Sequence, residues 1–157
     1  MSWDQTDPIA FLAANPNDRR QWLNAIGLGR YAPLLAHLTS SPCNQTCVAR
    51  FLCTPDRVKF PDLRSADLAT LDLTGINLIR GQLNHANLRG TILQHADLIF
   101  ANFSHADLTN ADLRGATLNQ TIWTATIVQG CDVRGAKGLT TSQRQGLAAS
   151  YAIVDGW

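Results

Sequence analysis

The chain is organised around a five-residue period that runs from about Leu63 to Ala136. Leu or another large apolar residue stands at the centre of each unit, and a small or apolar residue stands two positions earlier. The residue between them is usually Asp or Asn. A helix repeats about every 3.6 residues and a flat strand every two, so neither keeps both series on one side of the chain. The period therefore predicts a repeat architecture.

A unit with two inward positions must bend the backbone once, or those positions would not face the same interior. Four bends close a turn, which would stack residues twenty apart on coils about 4.8 Å apart. We therefore expect Leu68, Leu88 and Leu108 to form one column. Burial of each Leu contributes about 1.5–3 kcal/mol, before the entropy of ordering is subtracted. We expect the Asp and Asn residues at the corners, bonded to local backbone.

Several units carry the pattern of Ala86-Asn87-Leu88 and Ala106-Asp107-Leu108 in one frame. The pattern resembles the A(D/N)LXX signature of pentapeptide repeat proteins. This resemblance implies a mainly β protein, a right-handed quadrilateral β-helix of about four coils. The end units depart from the signature, since Leu71 and Ile76 are large and Thr121-Ile122-Trp123 lacks Asp or Asn. End coils of repeat stacks are commonly atypical because they meet caps.

Turn and cap signals divide the chain into an all-α region over 1–60, the repeats over 61–137 and a short closing helix and tail over 138–157. The N-terminal region is interpreted as a helical cap that covers the open strand edges of the first coil. Residues 22–32 are similar to the opening of a sterile alpha motif domain, so a separate interaction module remains the alternative. The predicted helices start at Asp7-Pro8, at Asn17 or Asp18, at Arg30 and at Asn44, and the closing helix starts at Thr140 or Thr141. The third and fourth end near Leu38 and before Thr54-Pro55, and residues 151–154 are predicted to be extended.

Charge and hydropathy narrow the class of protein. The formal net charge is +1, and every acidic residue is Asp. No segment approaches the length of a membrane span, and Met1–Asp7 lacks the basic lead and apolar run of a signal peptide. We therefore expect a cytoplasmic protein without membrane contacts.

Three cysteines, Cys43, Cys47 and Cys53, lie close together with His37 upstream. Their spacing is not a paired zinc motif, which leaves a zinc site, a disulfide or reduced thiols in a helical core as alternatives. We favour reduced core thiols and predict no metal or other cofactor. Cys131 falls on an inward position and is expected to be buried.

Outward positions supply the candidate binding residues. Ile79, Ile99 and Phe100 fall on one surface, where contiguous apolar groups indicate either a covered contact or a partner site. Arg114 and Arg134 are twenty apart and form a second candidate docking face, or a solvated ladder of ion pairs. His85 and His105 are also twenty apart and should stack.

No nucleophile–base pair, phosphate loop or paired-carboxylate site emerges from the sequence, so we predict a protein that is not an enzyme and takes no small-molecule substrate. The favoured function is a scaffold that binds an unidentified protein, with regulation as a candidate role, and we expect a monomer or weak dimer. The family resemblance implies one alternative, a DNA mimic that inhibits or protects a type II topoisomerase. The near balance of charge does not favour that alternative, nor binding to nucleic acid.

Overall fold

Parallel β-bridges join residues twenty apart throughout the repeats of the computed structural model, which describes residues 7–53 and 60–156. One coil therefore consists of four five-residue units, and the coils stack as a β-solenoid. We name each column of bridged residues after its first member. The columns are Asp62, Gln82, Asn102 and Ile122; Asp67, Asn87, Asp107 and Ile127; Asp72, Ile92, Asp112 and Asp132; and Asn77, Asp97, Thr117 and Lys137.

The large central residues fill the interior of the solenoid. Leu68, Leu88 and Leu108 are fully buried, and their preceding residues are bridged in the Asp67 column, which confirms the predicted stacking. The backbone N–H of Leu68 donates to the carbonyl of Asn87, and Leu88 donates to Asp107 in the same way. The core is thus held both by apolar burial and by an unbroken ladder between coils.

The Asp and Asn residues occupy the bridges, which corrects their predicted position at the corners. The corner consists of the two residues after each central Leu. The carboxylate still stabilises the corner, because Oδ1 of Asp72 accepts a hydrogen bond from the backbone N–H of Thr74 at 3.0 Å. The same bond to the backbone two residues ahead recurs in most of the Asp and Asn units, for example from Asn77 to Ile79 and from Asp112 to Arg114, whereas Oδ1 of Asp97 has no such partner.

The second residue of each corner has a left-handed backbone. Gly75 and Gly115 adopt it without strain, but Arg80 and Phe100 adopt it as well, with φ of 56° and 60°. A non-glycine residue pays a conformational cost in this region, which the surrounding ladder must offset. Side chains at this position project outward and stack between coils.

The helices differ from prediction in their bounds. They are α1 (Pro8–Ala13), α2 (Pro16–Ala25), a 3₁₀ helix (Gly29–Tyr31), α3 (Ala32–Leu35), α4 (Pro42–Cys53) and α5 (Thr141–Ala149). The N-cap of α2 is Asn15 rather than Asn17 or Asp18, because Pro16 needs no hydrogen-bond partner in the first turn. The predicted third helix is split in two, with Pro33 in the first turn of the second piece. Helix α4 likewise begins at Pro42, two residues before the predicted start at Asn44.

A buried arginine joins the short N-terminal helices. Arg19 donates to the carbonyls of Ala36 at 3.2 Å and Leu38 at 2.7 Å, and also to the carbonyl of Leu12. These carbonyls lie at or just beyond the C-terminal ends of α1 and α3, where a cation is favoured. Burial lowers the pKa of Arg19.

A side chain of α4 binds the backbone of the first coil. Asn44 is fully buried, its Oδ1 accepts the backbone N–H of Asp67 at 2.9 Å, and its Nδ2 donates to the carbonyl of Asp67 at 3.1 Å. One coil higher, the N–H of Asn87 donates to the carbonyl of Ala66. The Asn44 amide thus takes the place of the peptide group that a preceding coil would supply.

Helix α5 and the tail contact the last coil of the repeats. Thr140 is the N-cap of α5, with a capping box to Gln143, and Nε2 of Gln143 donates to the carbonyl of Thr121 at 3.0 Å. The tail runs beside the last coil, because Ile153 forms a parallel bridge to Asp132. The sequence predicted an extended segment here but not this pairing. Helix α5 interrupts the repeat before this bridge, which therefore departs from the twenty-residue spacing.

Two sequence-based predictions concern segments outside the described residues. These are the absence of a leader in Met1–Thr6 and the helix breaker at Thr54-Pro55. Within residues 7–53 and 60–156, no helix has the length and apolar character required to cross a membrane.

Candidate partner-binding surface

Ile79, Ile99 and Phe100 lie on adjacent coils, next to the bridge between Asn77 and Asp97. The N–H of Arg80 donates to the carbonyl of Ile99 at 2.8 Å, which fixes the two coils against each other. Phe100 is 40% exposed, whereas both isoleucines are half-buried. The predicted apolar surface is therefore less exposed at its isoleucines than their outward positions suggested. We call the outward side of 76–80, 96–100 and 116–120, together with Phe60, the Asn77 surface.

An arginine lies between two phenylalanines on this surface. The Cζ atom of Arg80 is 5.2 Å from the ring centroid of Phe60 and 5.2 Å from that of Phe100. Phe60 precedes Arg80 by one twenty-residue repeat and Phe100 follows it by one, so the guanidinium lies between the two rings. Our sequence prediction missed Phe60 and Arg80. The signal that could have identified them is the spacing of Phe60, Arg80 and Phe100 at successive intervals of twenty residues.

A groove of about 360 Å³ separates the Asn77 surface from the N-terminal helices. Its described wall is apolar and aromatic at several positions and includes the guanidinium of Arg30, whose Cζ lies 4.9 Å from the ring centroid of Tyr31. Burial raises the pKa of Tyr31, and the nearby Arg30 partly opposes this rise. The groove is lined by Arg30, Tyr31, Phe60, Pro61, Asn77 and Ile79.

The other two candidate residues lie elsewhere, on the Asp72 column. Nε and Nη2 of Arg114 donate to the two carboxylate oxygens of Asp112, at 2.9 and 2.6 Å. Arg134 binds Asp132 with the same fork, at 3.0 and 2.6 Å. Nε of Arg114 also lies 3.8 Å from Asp132, so the pairs form a continuous ladder. These arginines are thus engaged within the chain and do not join the apolar residues.

The ladder predicts an acid-sensitive contribution to stability. Hydrogen bonds from Arg114 lower the pKa of Asp112 from 3.8 to about 2, against an opposing effect of burial. Because the folded-state pKa is lowered, the contribution is complete above the unfolded value and is lost as the pH falls from about 4 to about 2. Both side chains are partly exposed, so we expect it to be no more than about 1 kcal/mol.

Urea unfolding at a series of pH values tests this expectation. In Asp112→Asn and in Arg114→Met, the free energy of unfolding should fall less steeply with acid than in the wild type. Equal slopes in all three proteins would contradict the assignment.

The cysteines divide into two environments. Cys47 is buried in α4, where desolvation raises the pKa of its thiol to about 12, so reduced core packing describes this residue. Cys43 and Cys53 are exposed on the same helix, which corrects their predicted place in the core. Cys131 is buried as expected, with its pKa also raised to about 12. All four lie in the described part of the chain as free thiols.

Two further features concern possible chemistry. The rings of His85 and His105 stack as predicted, with centroids 4.8 Å apart and planes 4° from parallel. Among the described residues, no group of three or more His, Cys, Asp or Glu side chains is placed to hold a metal ion.

The stacked coils define a β-solenoid protein, and comparison with known proteins identifies its kind. The family model for pentapeptide repeats matches residues 82–120 with eight copies. A pentapeptide repeat protein from the thylakoid lumen of Arabidopsis thaliana is 30% identical over 61% of this chain and 70% of its own, with a TM-score of 0.34. The chain belongs to the pentapeptide repeat family.

Other solved structures are similar over a comparable range. The pentapeptide repeat protein Rfr23 from the cyanobacterium Cyanothece 51142 is 26% identical over 60% of this chain and 57% of its own, with a TM-score of 0.29. QnrB1, described as a plasmid-mediated fluoroquinolone resistance protein, is 18% identical over 60% and 61%, with a TM-score of 0.32. This chain covers less than two thirds of the length of Rfr23 and of QnrB1. No curated protein matches the chain.

Proposed function

We propose that the protein is a non-enzymatic scaffold that binds another protein through the Asn77 surface. The observation that carries the proposal is the row of apolar groups on that surface: Phe60 is 48% and Phe100 40% exposed, next to Ile79 and Ile99. Contiguous apolar groups on a soluble surface are typical of interaction sites. The coils beneath them are bonded to one another through the backbone, so the surface is presented with little conformational freedom to lose on binding.

Several carboxylates of the repeats are already used within the chain, which supports a structural role for them. Oδ1 of Asp107 accepts both the N–H and the hydroxyl of Thr109, and its Oδ2 binds Arg89. Asp112 and Asp132 are held by arginine forks. Carboxylates with such fixed partners are poor candidates for general acid–base chemistry.

Charge supports the scaffold over the DNA mimic of a type II topoisomerase. Residues 61–137 contain seven Asp, opposed by five Arg and one Lys. Duplex DNA carries about one negative charge per 1.7 Å of helix axis, which calls for a much denser series of free carboxylates. The ladder of Arg114 and Arg134 further neutralises the Asp72 column.

We also propose the finer architecture. The repeats over 61–137 would form about four right-handed, quadrilateral coils, with 1–60 as an N-terminal helical cap and 138–157 as a closing unit. The bonds of Asn44 to Asp67 support the cap over a separate interaction module, because they join α4 to the first coil. We further propose a cytoplasmic protein that is a monomer or weak dimer.

Charged substitutions on the Asn77 surface test the function. Ile99→Asp and Phe100→Asp should each abolish capture of the same partner from native lysate, because a carboxylate in an apolar contact loses its hydration without gaining a bond. Thr124→Asp is the matched control. Thr124 is exposed and has the corner position of Ile99, but it follows the Asp62 column.

Circular dichroism and thermal melting establish that the three variants are folded. Loss of the partner in both surface variants and its retention in Thr124→Asp is the expected pattern. Retention in all three would exclude the Asn77 surface.

A further inference from the structure

We infer that Arg80 is a recognition residue for a carboxylate, and that the segment bound by the Asn77 surface is an acidic peptide with large apolar side chains. The inference rests on the proposed function, since it names the chemistry of the partner at that surface. It depends on three features of the described residues: the position of Arg80, its freedom from other bonds and the composition of the groove.

The first feature is the position of the guanidinium. Phe60 and Phe100 lie on either side of Arg80, with its Cζ 5.2 Å from each ring centroid. An arginine held in this way keeps its N–H donors at the edge of the stack, directed away from the ring faces. Two of those donors match the geometry of a carboxylate, and less entropy is lost on binding because the side chain is already ordered.

The second feature is that the guanidinium of Arg80 forms no hydrogen bond or ion pair with residues 7–53 and 60–156. Arginines elsewhere on the repeats differ in this respect. Arg89 binds Asp107 at 2.9 Å, and both Arg114 and Arg134 bind aspartates at 2.6 Å. Arg80 is the exposed arginine of the repeats whose donors are left to an external group.

The third feature is the composition of the adjoining groove. Among the residues that the structure describes, its walls carry Arg30 on the helical side and otherwise aromatic, apolar or amide groups, and none of these described lining residues is acidic. The repeat units of the Asn77 surface contain one acidic residue, Asp97. The guanidinium of Arg80 therefore favours an anionic ligand at this surface, and Phe60, Pro61 and Ile79 favour apolar side chains beside the carboxylate.

Fluorescence anisotropy with synthetic peptides tests the inference. One probe is a short labelled peptide composed of Asp, Glu, Leu and Phe, and the second has Lys in place of each acidic residue. The wild type should bind the acidic probe at least about tenfold more tightly than the basic one, the effect of one charge-assisted bond. Arg80→Met should lose that preference, and Arg89→Met, which alters an arginine on another column, should keep it.

Asp97→Asn gives the sign of the charge effect. Removal of this carboxylate should strengthen binding of an acidic ligand and weaken binding of a basic one. A labelled single-stranded oligonucleotide is the third probe, because a phosphate also suits a free guanidinium. If the oligonucleotide binds more tightly than the acidic peptide, the inference that Arg80 binds a carboxylate of a protein partner is wrong.

The outcomes separate this inference from the proposed function. If Ile99→Asp abolishes partner capture while Arg80→Met leaves capture and peptide preference unchanged, the Asn77 surface is the binding site but Arg80 does not recognise a carboxylate. If both variants behave as wild type, the Asn77 surface is not the binding site. Equal affinity of the wild type for the acidic and basic probes would overturn the inference directly.

Discussion

Replacement of Phe103 by alanine is expected to lower the free energy of unfolding by about 3–5 kcal/mol. The ring is fully buried at the axis of the solenoid and stacks on Trp123 of the next coil, with centroids 5.0 Å apart. Alanine would leave a cavity that the neighbouring coils cannot fill, because the backbone ladder fixes their spacing. Trp123 would also lose the ring that covers one of its faces.

Phe103→Leu is the informative control, because Leu is the residue at most other central positions. It should cost less than about 1.5 kcal/mol. Denaturant unfolding followed by circular dichroism measures both variants. A loss of under about 1 kcal/mol in Phe103→Ala would show that this part of the axis is not closely packed.

Replacement of Asn44 by alanine is expected to lower the free energy of unfolding by about 3–4 kcal/mol. The change removes the donor and the acceptor that bind the backbone of Asp67 and leaves both of its peptide groups without partners. Each buried unsatisfied group costs about 1–3 kcal/mol. The bonds from Asn44 to the carbonyl and hydroxyl of Thr39 are lost as well.

Two variants sharpen this test. Asn44→Asp keeps an acceptor for the N–H of Asp67 but loses the donor and buries a charge, so it should be no more stable than the alanine variant at neutral pH. Asn17→Ala alters an exposed residue of α2 and should stay within about 0.5 kcal/mol of the wild type. If Asn44→Ala unfolds like Asn17→Ala, the amide does not close the edge of the first coil.

The core of the fold could be predicted from the sequence because one physical constraint repeats along it. Each central Leu must reach the same interior, and this requirement alone determines which residues stack, as in the column of Leu68, Leu88 and Leu108. The stacked histidines followed from the same spacing.

Features that depend on one particular contact could not be predicted from the repeat pattern. Asn44 looks like an ordinary polar residue of a helix, and only the docking of α4 shows that its amide stands in for a peptide group. The groove likewise depends on how Arg30 and Tyr31 face the first coils. The Phe60, Arg80 and Phe100 stack was predictable in principle from its twenty-residue intervals, but Phe60 lies outside the five-residue pattern that starts at Leu63.

The fixed register of the ladder has a mechanical consequence. Every bridge between the coils of 62–137 spans twenty residues, so detachment of any single coil releases the same length of chain. At about 3.3–3.6 Å per extended residue, that length is roughly 70 Å. A molecule pulled from its two ends would therefore lengthen in equal increments, and the weaker of its two terminal closures would decide the direction in which it unravels.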